Sequence, residues 1–194
     1  MVRPMVESAH GRPRRSVRAG SLDPLDLLAG LGTDAEVDPA IVREIVRICG
    51  RTDRAHALPV VRALAQRLDA QHGAGIDAVT LNLGRRARRL VVAVWSAGGD
   101  AVFLDGAARL VPGVPAPLGP EIGKVLRRRK PQDLSAWAAA AGATRSSSED
   151  VVLALGALVE SLVDDLALAL GVERTTVETA AWVGMSMPPG AEPS

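Results

Sequence analysis

Two arginine runs are the residues best equipped for chemistry. Arg85, Arg86, Arg88 and Arg89 form the first, and Arg127, Arg128 and Arg129 with Lys130 form the second. A guanidinium presents a planar fork of donors that fits phosphate, and displaced counterions drive such binding. Arginine is also this chain's default cation, since Lys124 and Lys130 are its only lysines. Single-strand binders also use aromatic platforms, whereas this chain has one Phe and no Tyr.

Glu160, Asp164 and Asp165 are the next set. Positions 160 and 164 share a helix face, but metal sites in bundles combine such acids with a Glu-x-x-His pair on the helices, and the stretch 147–171 holds no histidine. A polar stripe, or an acidic seam facing arginines, is the simpler reading. His10, His56 and His72 form neither H-E-x-x-H nor a Cys/His ligand spacing. There is no G-x-S-x-G elbow and no G-x-x-x-x-G-K-[ST] loop. Cys49, the one cysteine, falls on the apolar side of a helical pattern and reads as a small buried hydrophobe. No cofactor and no metal are therefore expected, and an enzyme would need a site assembled from scattered residues.

The elements behind these groups centre on Val151–Leu170. Val151, Leu155, Leu158, Leu162, Leu166 and Leu170 line one face, with Val152, Val159 and Val163 beside them. Ser147 or Ser148 supplies an N-cap, Glu149 and Asp150 favour the positive end of the helix dipole, and Gly171 stops it. A helix apolar almost all round must be covered by neighbours. A membrane span is disfavoured, because Glu160 would lie near the midplane at roughly 2.5–3.5 kcal/mol, with two further acids nearby.

Other boundaries follow from local signals. Leu25–Leu31 is a short apolar segment, and Asp38-Pro39 starts a helix carrying Ile41, Ile45, Ile48 and Cys49 up to Gly50. Pro59 opens another, ending at Gly73. Val79, Leu81 and Leu83 alternate with Thr80 and Asn82, Leu90–Trp95 is rich in β-formers, and Ala101–Leu104 returns after a glycine turn. An α+β fold is thus expected: a two- or three-stranded antiparallel meander over Asp77–Asp105, flanked by N-terminal and C-terminal helices. Helices are further expected over Glu121–Arg129, Gln132–Ala141 and Glu173–Val183. One domain would span residues 22–185, with a hinge at the proline-rich 110–120 stretch, a disordered basic arm over 1–21 and a flexible tail over 186–194.

Charge is unevenly spread although the net value is +1. Residues 85–130 hold ten bases against three acids, and residues 131–194 hold two bases against nine acids. With no signal peptide visible, a cytoplasmic protein is expected. The leading expectation is a non-catalytic accessory or adaptor protein acting by protein–protein contact and self-association. Its interface would use Leu155, Leu158, Leu162, Leu166, Val177 and Trp182, since surplus apolar surface demands a partner. The alternative is a nucleic-acid-binding regulator using both arginine runs and the basic arm. A third is an enzyme with a non-local site.

Overall fold

Cap residues set most helix boundaries in the computed structural model, which describes residues 24–31, 37–73, 75–99, 111–128 and 133–183. Eight helices run through these residues: α1 (Pro24–Ala29), α2 (Pro39–Cys49), α3 (Arg54–His72), α4 (Gly75–Ser96), α5 (Leu118–Arg127), α6 (Leu134–Thr144), α7 (Ser148–Leu170) and α8 (Arg174–Val183). Asp38 caps α2 by accepting from the Ala40 N–H at 2.9 Å. Ser147 caps α7 through a reciprocal box with Asp150, and Gly171 closes that helix at φ 65°. These are the starts and stops the local signals call for.

The α+β expectation is overturned: no strand occurs among the described residues. Val79, Leu81, Leu83 and Leu90–Trp95 all lie in the single 22-residue helix α4. The alternation misleads because Val79 and Leu83 also begin a helical stripe, which Ala87, Leu90, Val91 and Val94 continue, all of them buried. The third strand assigned to Ala101–Leu104 lies outside the described residues, as do the basic arm and the tail.

Pro59 does not open α3. The helix begins a turn and a half earlier, where Asp53 accepts from the His56 N–H at 3.0 Å, and Pro59 sits inside it. Likewise α6 runs through Gly142 and stops at Arg145, which takes the left-handed conformation at φ 55°. Leu118–Pro120, expected to be irregular, form the first turn of α5.

Helix α7 is the axis of the fold and touches α2, α3, α4, α5, α6 and α8. It runs in the same direction as α4. At their starts, Glu149 lines one cleft with Gly75, Ile76 and Asp77; at their ends, Gly99 lies against Ala169. At the start of α7, Asp150 is buried and receives the Arg54 Nε–H at 2.6 Å. Burial alone would raise its pKa, but the Arg54 bond and the bonds from Ser147 hold the carboxyl below its usual range.

The α2–α7 crossing is tight because position 156 is glycine. A Cβ there would lie 2.8 Å from the Cys49 Sγ and 2.9 Å from its Cβ. Neither atom is the end of a long side chain, so the helices themselves must separate. Gly156→Ala is expected to destabilise the protein by about 1–3 kcal/mol in urea unfolding, despite alanine's better helix propensity. Because the clash is with Cys49, the same change in a Cys49→Gly background is expected to cost less.

Candidate docking groove

Within α4 the first arginine run divides by direction. Arg86 turns inward and is buried. Its Nε–H donates to Asn82 Oδ1 at 3.0 Å, it also donates to the Ala181 carbonyl, and its guanidinium stacks 4.3 Å from the Trp182 ring centre. Arg85, Arg88 and Arg89 are half-buried on another side of α4 and help line a groove against α1.

That groove has a volume of about 480 Å³. Leu27, Gly30 and Leu31 from α1 and its end form one wall, Val92 and Ala93 of α4 the other, and Asp26 is the one acid among the described lining residues. Buried Leu28 and Leu31 pin α1 to the core. Arg89 ties the two walls by donating to the Leu31 carbonyl at 3.2 Å. Three large apolar side chains on these two helices stay half exposed: Leu25 at 54 %, Val92 at 52 % and Trp95 at 47 %.

The groove is thus apolar along its walls with guanidiniums at one edge.

The side chains first assigned to an interface are elsewhere. Leu155, Leu158, Leu162, Leu166 and Val177 are 0 % exposed and Trp182 is 5 % exposed, all packed in the chain's own core. Neighbouring helices of the same chain cover α7, so the apolar surplus that suggested a second copy is spent internally. Of the second basic run, Arg127 and Arg128 are exposed at the end of α5, while Arg129 and Lys130 lie outside the described residues.

The acids of α7 do face arginines, but from different places. Arg174 pairs with Glu160 at 2.7 Å, Glu178 at 2.8 Å and Asp164, and Arg43 reaches Glu178 at 3.3 Å. Burial, then the neighbouring Asp164, pushes the Asp165 carboxyl above its ordinary value. No group of three or more His, Cys, Asp or Glu poised for a metal occurs among the described residues. His56 is exposed, with Nδ1 2.8 Å from Asp53 Oδ1, and His10 lies outside the described residues.

Cys49 is fully buried, and that burial pushes its thiol up to about 12. The thiolate fraction at pH 8 is then only about 10⁻⁴, roughly a thousandth of that of an ordinary thiol with pKa near 9. Labelling by a thiol-specific disulfide reagent is expected to be at least about a thousandfold slower in the native protein than in denaturant. Equal rates would show the thiol accessible and this part of the core wrongly described.

Sequence reading missed Leu27, Leu31, Val92 and Ala93 as one surface. The signal lay in helical spacing: Arg85, Arg88, Arg89 and Val92 share a face once 75–96 is read as helix.

The described residues form an all-helical fold built around a buried axial helix, with a basic-apolar groove on its surface. No family model matches it, and neither a curated protein nor a solved structure does.

Proposed function

We propose that the chain is a non-catalytic accessory protein of the cytoplasm that acts by docking another protein on its α1–α4 face. The carrying observation is half-exposed Val92 in a groove walled by Leu27, Leu31 and Ala93 and edged by Arg85, Arg88 and Arg89. A large apolar side chain left exposed in a concave apolar surface marks an interaction site, and Arg is a favoured anchor. Among the described residues no helix is long and apolar enough to cross a membrane.

The test is affinity capture from expressing cells with three baits: the wild-type chain, Val92→Asp and Leu168→Asp. Leu168 is 84 % exposed on α7 and controls for a charge placed at an exposed leucine away from the groove. Proteins recovered with wild type and Leu168→Asp but lost with Val92→Asp support docking on this face. Recovery of the same proteins with all three baits overturns it.

A further inference from the structure

We infer that the α1–α4 groove is occupied by the chain's own residues 184–191, which a docking protein must displace; the competition, though not the occupancy, rests on the docking reading above. Residues 184–194 lie outside the described residues, but the point from which they leave is fixed. Helix α8 ends at Val183. Just before it, Trp182 stacks on the Arg86 guanidinium and the Ala181 carbonyl accepts from Arg86. On α4, Arg86 stands between the groove residues Arg85 and Arg88, and α1 touches both α4 and α8. Chain leaving Val183 therefore starts beside the groove. Val92 lies six residues beyond Arg86, about 9 Å along the helix. Four extended residues span up to roughly 13 Å, enough for Met187 to reach it.

The chemistry of the two sides agrees. Arg85, Arg88 and Arg89 already have partners, so Leu27, Leu31, Val92 and Ala93 select the occupant. Residues 184–191 read Gly-Met-Ser-Met-Pro-Pro-Gly-Ala and carry no charge. Met185 and Met187 share a side in an extended chain, and their unbranched thioethers adapt to irregular apolar walls. Pro188 and Pro189 favour an extended backbone and reduce the entropy lost on docking. The arm before α1 also ends near the groove, but residues 14–23 would bring Arg14, Arg15, Arg18 and Asp23 against those walls at a desolvation cost. A second copy's tail offers the same contacts. Tethering, however, holds the chain's own tail at roughly millimolar effective concentration, above that of a second copy at micromolar protein.

The test uses the 194-residue chain with thiols added, since Cys49 is fully buried and stays silent. The thiol introduced by Val92→Cys is expected to react with a disulfide reagent about tenfold faster when Met185→Asp and Met187→Asp are also present, because the groove then stands open. The thiol from Leu168→Cys, at an 84 % exposed position on α7, is expected to react at one rate in both backgrounds. In a chain carrying Val92→Cys with Met187→Cys, mild oxidation is expected to close a disulfide within one chain. It should form at least about tenfold faster than in the pair Leu168→Cys with Met187→Cys.

Equal labelling of the Val92→Cys thiol in the two backgrounds overturns the inference, as does equal oxidation of the two pairs. So does a disulfide that joins two chains and forms faster at higher concentration, which would give the groove to a second copy. The docking reading fails separately. With both readings correct, the bait carrying Met185→Asp and Met187→Asp recovers several-fold more of the proteins that Val92→Asp loses. If Val92→Asp loses those proteins while labelling and oxidation show no preference, docking stands and the tail falls. If the tail shields the thiol but Val92→Asp loses nothing, occupancy stands and docking falls.

Discussion

Leu158→Ala is expected to lower the free energy of unfolding by about 3–4 kcal/mol without changing the solution mass of the molecules that remain folded. The side chain is fully buried in α7, among helices of its own chain. Truncation removes apolar area from the interior and leaves a cavity that a close-packed centre closes poorly. Leu168→Ala on the same helix is the internal control. At 84 % exposure it has little to lose, and a change within about 0.5 kcal/mol is expected. Urea unfolding followed by circular dichroism, beside sedimentation at several concentrations, measures both quantities. A loss of oligomer mass with unchanged stability would restore Leu158 to an interface and overturn the core assignment.

Arg86→Ala is expected to cost about 3 kcal/mol or more. It removes hydrogen bonds to Asn82 and the Ala181 carbonyl, and it empties the space over the Trp182 ring. Arg86→Met keeps most of the volume without the charge, so it is expected to be milder than alanine. The stack itself is isolated by a double-mutant cycle of Arg86→Met with Trp182→Leu, where a coupling of about 1–2 kcal/mol is expected. Additive effects in that cycle would mean that the ring and the guanidinium sit together without attraction. Neither variant addresses docking, because Arg86 faces the core while Arg85, Arg88 and Arg89 line the groove.

The α1–α4 groove was only partly legible beforehand. Arg85, Arg88 and Arg89 stood out by composition, but four arginines in one run carry nothing local to say which of them turns inward. Trp182 and the Ala181 carbonyl, supplied by α8, make that choice for Arg86. Reading 77–105 as strands also hid the face, because it put Arg85, Arg88 and Arg89 in a connection and Val92 in a separate strand. Pro59 misled for a related reason. Proline often marks a first turn, but Asp53 had already capped α3, and one missing backbone donor inside a 19-residue helix is tolerated.

What the amino-acid order determined by itself is what local chemistry decides. Asp38 with Pro39, Ser147 with Asp150, and Gly171 satisfy or terminate the backbone of their own helices. Val151–Leu170 needed cover whatever surrounded it, because its apolar residues leave only a narrow polar stripe. Which helices supply that cover, which arginine enters the core and which apolar side chains stay outside were decided by the tertiary structure alone. Burial belongs to pairs of elements: α7 is hidden because six other helices close around it, whereas among the described residues the face of α4 carrying Val92 has the six-residue α1 beside it and stays half exposed.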